Sequence, residues 1–358
     1  MMQQSPFQPR RMVVAMDSFK GSLTSAEAGE SVGRGVRRRW PDAGVTVLTV
    51  SDGGEGWLDA CRAAMGGEVV GVAVSDPLLR TVGARYLLSG HTAVIEVAQA
   101  CGLMLVRPEE RRPLQATSRG VGQMVAHAIG RGARSMLVGL GGTATSDAGR
   151  GFAEAMAEAF GERWWESEAV RRVRFTIATD VRAPLCGEQG AARVFAPQKG
   201  ATPAEVVELE RQAAAFAAVS ARLTGRDSSR VPGAGAAGGL GYVFMQYLNA
   251  HCRMGLDVLW EAYGGDALLR QTSLLITGEG AADAQTLMGK LPHALLRHAM
   301  PQDVPVWLLA GKVEQADRLL AAGFDRVACI HRHPLPLAEA MRPDVACRAL
   351  EECVCHIC

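Results

Sequence analysis

The sequence predicts an α/β protein in which the two ends of the chain build one domain and the middle forms a second, inserted one. Three observations carry this expectation. Apolar strand-like runs alternate with helical segments over residues 11–65 and again over 274–330, the rhythm of strand–helix–strand crossovers. Between residues 68 and 98 that rhythm gives way to three closely spaced strand-like runs, more meander than crossover. Glycine-rich and charged turns follow nearly every strand, where open α/β sheets hold their ligands. A length of 358 residues suits about two domains. The pattern draws them as 1–67 with 270–358, and 68–269.

The first strand is the buried run at 11–16, which ends in Asp17-Ser18-Phe19-Lys20-Gly21. Thr24 with Glu27 forms a capping box that opens a helix to about Trp40, where Pro41 stops it. A second strand at 45–50 ends in Ser51-Asp52-Gly53-Gly54-Glu55-Gly56, and a helix follows to Met65. After the meander, a helix near 120–131 and a strand at 135–138 restore the alternation. A strand at 173–178 and a long Ala-rich helix at 203–223 come next. From the strand at 274–276 onward the rhythm is simple, with further strands at 306–309 and 327–330. Leu350, Val354 and Ile357 fall on helical spacing and mark the apolar face of a last helix. The opening MMQQSPFQPRR has no apolar core and reads as a leader before the first strand, not a secretory signal.

Composition excludes several classes. A net charge of +1 leaves no electrostatic footprint for nucleic acid or an anionic membrane. Hydrophobic content of 48% suits a globular chain, and no apolar run approaches the roughly 18 residues that span a bilayer. Nine cysteines, an odd and scattered set, read as small buried residues of a reducing, cytoplasmic protein. The terminal group of Cys347, Cys353, Cys355, His356 and Cys358 reads as a helix with incidental thiols, because a zinc site needs a folded turn around its paired ligands. His331 and His333 flank an arginine before Pro334 and read as a solvated turn.

Four of the 38 basic residues are lysine, and each adjoins a glycine: Lys20 before Gly21, Lys199 before Gly200, Lys290 after Gly289 and Lys312 after Gly311. Lysine is a compact charge on a flexible stem, suited to reach over a glycine turn toward a phosphate held on backbone N–H groups. Lys312 lies beyond the densest motifs and ranks lowest of the four. Asp17 and Lys20 follow the first strand, Asp52 and Glu55 the second. Gly139-Leu140-Gly141-Gly142-Thr143-Ala144-Thr145-Ser146-Asp147 lies between a strand and a helix. Asp180 ends its strand, Lys199 precedes the long helix, and Thr277-Gly278-Glu279-Gly280 leads to Asp283 and Lys290. These are the parts of phosphoryl transfer: lysines and N–H groups for phosphate oxygens, carboxylates for Mg²⁺, one aspartate for the hydroxyl proton. Any one of them is more often a cap or turn former, so their recurrence at strand ends carries the argument.

Other nucleotide motifs fail their context. Gly233-x-Gly235-x-x-Gly238 follows Pro232 and polar residues instead of a strand. Gly139-x-Gly141-x-x-Ala144 lacks a second strand bearing an acid about 20 residues on, since Glu158 falls inside a helix. No Walker loop is present, which excludes an ordinary P-loop kinase, and no H-E-x-x-H or H-x-x-x-H metal pair occurs.

Taken in order over residues 12–340, the loops resemble those of the type I glycerate kinases. The resemblance lies in Asp17-Ser-Phe-Lys-Gly-Ser22, Asp52-Gly-Gly-Glu-Gly56, Ala93-Val-Ile-Glu96, Pro108-Glu-Glu-Arg111 and the 139–147 loop. It continues through Asp180 with Pro184-Leu-Cys-Gly187, Ala196-Pro-Gln-Lys-Gly200, the glycine-rich stretch 232–241, Thr277-Gly-Glu-Gly280, Asp283-Ala-Gln-Thr286 with Lys290, and Ala310-Gly311. It implies a Rossmann-like domain from both termini, a second α/β domain inserted, and an active site in the cleft between them. It also implies transfer of the ATP γ-phosphoryl group to D-glycerate, giving mainly the 2-phosphate, with Mg²⁺. Glycerate and ATP are then the partners, with neither nucleic acid nor membrane, and a homodimer is left open. On this reading Lys20 and Lys290 are catalytic, and Lys199 binds phosphate or carboxylate. Asp52, Glu55 and Glu279 hold metal or position groups, and Asp180 or Asp283 is the general base. Gly139, Gly141, Gly142 and Thr143, with Gly235, Gly238 and Gly239, supply backbone donors.

The chain departs from the family pattern at Ala281, where an arginine is usual, and at Ser146, where asparagine is usual. Residues 112–119 also differ, and 161–172 is a shortened connection. Two alternatives remain open: a kinase of another small hydroxy acid, and a nucleotide-binding homologue with impaired catalysis.

Overall fold

A computed structural model describes residues 9–357; residues 1–8, most of the leader read from the sequence, and Cys358 of the terminal thiol group lie outside the described residues. The chain opens with β1 (Arg11–Met16), α1 (Ser25–Arg39) and β2 (Gly44–Thr49), then α2 (Trp57–Met65). It continues with β3 (Glu68–Ser75), β4 (Thr81–Ser89), β5 (Thr92–Glu96), α3 (Arg119–Gly130), β6 (Ser135–Gly139) and α4 (Arg150–Phe160). Next come β7 (Arg174–Ala178), α5 (Pro203–Thr224), α6 (Leu240–Leu248) and β8 (His251–Arg253). The last stretch holds β9 (Leu274–Ala282), α7 (Leu291–Ala299), β10 (Val306–Val313), β11 (Arg326–Cys329) and α8 (Pro343–His356). Among the described residues no helix is long and apolar enough to cross a membrane.

These elements form two compact units: a terminal unit up to Ser51 and from Leu256, and an inserted unit, Asp52–Gly255. The sequence pattern draws the lines later, at 67/68 and 269/270. At the first boundary the difference lies in α2, which continues the strand–helix rhythm of the N-terminus yet packs on β4 and β5 of the inserted unit. Its Leu58 N–H donates to the Glu96 carboxylate at 3.0 Å. Rhythm announces a helix; it does not say which sheet the helix covers.

The terminal unit holds a parallel sheet in the order β11-β10-β9-β1-β2. Helix α1 starts at the predicted capping box: Thr24 Oγ1 accepts from Glu27 N at 3.2 Å, and Thr24 N donates to Glu27 Oε2 at 2.9 Å. Ala28, Val32 and Val36, spaced at four, are fully buried against β1 and α8. Gly35 lets α1 and α8 touch, since a Cβ there would stand 2.5 Å from the Glu351 carbonyl oxygen. Leu350 and Val354 of α8 are fully buried, as the apolar face read from the sequence requires.

The inserted unit holds a mixed sheet in the order β3-β4-β5-β6-β7-β8. The meander is the antiparallel part, β3–β4–β5; from β5 to β8 the pairing is parallel. Its core gathers Tyr86, Ile95, Met124, Met136, Phe152 and Phe244, all at or near zero exposure.

Candidate active site

In the terminal unit the chain runs from β1 to β2 on one side, while β9 lies on the other. The reversal makes the carboxyl ends of β1 and β9 the switch point at which such sheets bind ligands. After β1, Phe19 N donates to Leu23 O at 2.8 Å and Ser22 N to Phe19 O at 2.7 Å, which closes a tight turn around exposed Lys20. Gly21 has φ +75°, a conformation that favours glycine. This turn lies against the end of β9, where a Cβ on Gly280 would come within 3.9 Å of Lys20 N. Gly280 thus leaves its face of β9 bare for the Lys20 turn, while a Cβ on Gly278 would stand 2.1 Å from Leu309 O.

The other face of β9 carries Glu279, only 5% exposed. Its Oε1 accepts from Thr286 Oγ1 at 2.6 Å, and its Oε2 lies 3.4 Å from Lys290 Nζ. Burial pushes the Glu279 carboxyl up from the ordinary range, against the pull of Thr286 and Lys290. Thr286 Oγ1 also accepts from Asp283 N at 3.0 Å, and Asp283 Oδ1 accepts from Gln285 N at 2.7 Å. One threonine therefore holds Asp283 and Glu279 in a common turn just before α7. The fully buried Thr277 Oγ1, one pleat back on the Glu279 face, has no partner among the described residues.

In the inserted unit the turn after Asp52 packs on the end of β6. A Cβ on Gly139 would stand 2.6 Å from Gly53 O and from the Trp57 ring, and one on Gly141 would stand 2.4 Å from Gly54 Cα. Glycine at these positions is what brings Asp52 and Glu55 beside the 139–143 loop. Asp52 Oδ1 accepts from Gly54 N at 2.8 Å and so shapes its own turn, while Glu55 is exposed. The N–H groups of Gly141, Gly142 and Thr143 donate to no other group among the described residues. Asp180, exposed, lies two residues past Ala178, whose carbonyl accepts from Leu140 N at 2.9 Å.

Lys199 is 4% exposed and reaches into this loop, donating to Thr145 O at 2.6 Å and Thr143 Oγ1 at 3.2 Å. Both acceptors are neutral, so burial pushes the ammonium down to about 8, despite the Cys101 thiol and the Asp147 carboxylate nearby. Ser146 Oγ is buried without a partner among the described residues. Asp147 pins the loop: Oδ2 accepts from Ser118 N and Oγ, both at 2.8 Å, and from Gly151 N at 3.0 Å, while Oδ1 accepts from Gly149 N at 3.0 Å. It thereby covers the orphan N–H groups at the start of α4.

The second glycine group packs closely against neighbouring backbone. Gly235 N already donates to Ala183 O at 2.9 Å. A Cβ on Gly238 would stand 1.9 Å from Thr145 O, and one on Gly239 would stand 2.5 Å from Ala148 Cα. These glycines let their segment lie flush behind the 145–148 stretch and so shape the loop from the rear.

Three residues outside the sequence-derived set emerge. Ser146 figures there only as a departure from the family pattern. Asp147 stands before a helix, the place of a capping carboxylate, which was its available signal. Glu96, 6% exposed, pairs in register with Gly139 and caps α2 through Leu58; burial pushes its carboxyl up. A carboxylate closing the buried run of β5 was the signal there.

The model of the glycerate kinase family matches residues 12–166 and 162–358. A glycerate kinase from Halalkalibacterium halodurans is 37% identical over 354 residues, 92% of this chain and 93% of that protein. The glycerate 2-kinase of Escherichia coli is 34% identical over 349 residues, 90% of this chain and 88% of that protein. The crystal structure of a proposed glycerate kinase 2 from Salmonella typhimurium LT2 superposes with a TM-score of 0.81 at 34% identity, covering 97% of each chain. The chain therefore belongs to the glycerate kinase family.

Proposed function

We propose that the protein transfers the γ-phosphoryl group of ATP to D-glycerate at the 2-hydroxyl, in the cytoplasm. The observation that carries this reading is the loop after β6. It holds three adjacent N–H groups and a buried Ser146 hydroxyl that have no partner among the described residues, and the buried Lys199 ammonium reaches the same loop. Such donors suit phosphate oxygens and need no reorganisation as charge moves. The relatives named glycerate kinase, and the Escherichia coli glycerate 2-kinase, support the acceptor and its hydroxyl. The buried free thiols of Cys61 and Cys101 suit a reducing compartment.

In this reading Lys20 and Lys290 bear on phosphate or carboxylate oxygens, and Asp283 or Asp180 accepts the proton of the attacking hydroxyl. Among the described residues no group of three or more His, Cys, Asp or Glu side chains could hold a metal ion alone. Mg²⁺ binds through one or two carboxylates together with substrate phosphates, so Glu279, Asp52 and Glu55 are donors of the right chemistry for it. When bound it neutralises phosphate charge.

Phosphorus NMR of the product formed from D-glycerate and MgATP tests the reading, with ADP release followed across a panel of small hydroxy acids. 2-Phosphoglycerate is expected. Faster turnover of another acid redirects the substrate assignment, and ATP binding without ADP release points to a homologue with impaired catalysis.

A further inference from the structure

The register of β9 and β10 gives Lys312 a place that its low rank in the sequence does not suggest. Strand β1 leaves the ladder at Gly278, but β9 and β10 run on together, pairing Ala310 with Glu279 and Lys312 with Ala281. Partners in a parallel ladder point to the same face, and residues two apart share that face. Glu279, Ala281 and Lys312 therefore face the side from which Thr286 and Lys290 approach. The single methyl of Ala281 leaves the lysine stem room to bend across the neighbouring strand.

The two lysines on this face are held differently. Lys290 is 35% exposed and rests on nearly buried Glu279. The Lys312 side chain is 71% exposed, and its ammonium rests on Glu314 Oε1 at 2.6 Å, with Glu314 itself 53% exposed. An exposed ion pair of this kind is weak and exchanges partners readily. Glu314 first, and Asp283 beyond it, hold the Lys312 ammonium above the ordinary lysine range. The cation is thus already within the field of a carboxylate in the Glu279–Thr286–Asp283 turn.

We infer that Lys312 is a further catalytic cation: its ammonium leaves Glu314 and meets the oxygens of the transferring phosphoryl group on the Glu279 face of β9. This rests on the phosphotransferase reading above. No bond to Lys312 forms or breaks; the lysine stabilises charge that spreads over the phosphoryl oxygens during transfer.

Steady-state kinetics with MgATP and D-glycerate on the full chain, with thermal unfolding as a control, test this. Lys312→Gln is expected to lower kcat about 100-fold, as loss of one preorganised charge contact does, with the KM for ATP and the Tm nearly unchanged. Lys312→Arg should restore most of kcat, and Glu314→Gln should leave it unchanged or raise it. If Lys312→Gln and Glu314→Gln both change kcat less than about 2-fold, or both lower it equally, the pair is a surface ion pair and the inference is overturned. Wild-type protein that forms no phosphoglycerate overturns the functional reading itself, a different result from an active wild type indifferent to Lys312.

Discussion

At the strand ends of the terminal unit the polar groups are charged and lie at or near solvent: Lys20 on a turn, Lys290 on Glu279, Asp283 beside Thr286. At those of the inserted unit the one lysine is buried, and the carboxylates of Asp52, Glu55 and Asp180 stand beside a loop of backbone N–H groups and hydroxyls. The first arrangement depends on side chains that move and are screened; the second depends on a loop whose shape is fixed by glycine contacts and by Asp147. Substitutions in the two units should therefore fail differently: the terminal unit loses chemistry with its fold intact, and in the inserted unit changes at the loop's packing positions alter stability together with activity.

The largest effects should come from the exposed charges. Lys20→Ala or Lys290→Ala is expected to cost activity about 100-fold or more, as removing one preorganised charge contact does, while thermal unfolding shifts little. Lys290→Ala also leaves the buried Glu279 without its cation, so its activity should shift further with pH than that of Lys20→Ala. Equal, mild losses at both positions would falsify the contrast from the terminal side.

Lys199 sharpens the contrast, because its charge opposes its burial. Its ammonium is pushed from the ordinary 10.5 to about 8 in the folded protein. Between those values the unfolded chain binds the extra proton, so this group's contribution to stability rises with pH across the window and is flat below it. Activity should run the other way, falling as pH rises through about 8, if the charged form is what holds Thr143 and Thr145 in place. Denaturant unfolding and kcat/KM of wild type and Lys199→Met at several pH values check this. The variant should lose both trends, along with about 10-fold or more in activity. Parallel trends in stability and activity would remove Lys199 from the loop's function.

Gly139→Ala should act through the fold first. The added Cβ meets Gly53 O and the Trp57 ring at 2.6 Å, and neither is the free end of a flexible chain. Overpacking of this kind costs about 1–3 kcal/mol, read as a lower denaturation midpoint, with activity falling by a smaller factor than at Lys199. An unchanged midpoint would mean that the 53–54 turn yields easily.

Local chemistry was legible in the sequence wherever one short segment decides it. The Thr24–Glu27 capping box, the buried face of the last helix and the antiparallel meander are read from neighbours in sequence and stand as read. What long-range packing decides was not legible. Gln198-Lys199-Gly200 reads as a glycine turn before the long helix, and nothing local shows that Lys199 is buried against a loop more than fifty positions earlier in the chain. Gly233, Gly235 and Gly238 carry a nucleotide-like spacing, but a Cβ on Gly235 would meet the Pro184 carbonyl and one on Gly238 the Thr145 carbonyl. Helix α2 and Lys312 teach the same lesson, since sheet membership and cross-strand register are invisible in a linear pattern.

Ser146→Ala is the finest probe of the inserted unit. Its hydroxyl oxygen is buried with no partner among the described residues, and a buried polar group left unsatisfied costs about 1–3 kcal/mol. Removing it should therefore leave stability unchanged or raise it slightly. If the hydroxyl is reserved for a phosphate oxygen, the same change should raise the KM for ATP about 10-fold with little change in kcat, because a hydrogen bond to a charged oxygen is worth about 1.5 kcal/mol or more. Thermal unfolding with and without nucleotide separates the cases. A gain in stability without nucleotide, paired with a smaller stabilisation on adding ATP, marks a group unsatisfied until the ligand arrives. A loss of stability with unchanged KM would show that the hydroxyl is satisfied within the protein, and the phosphate cradle would then rest on the backbone N–H groups and Lys199.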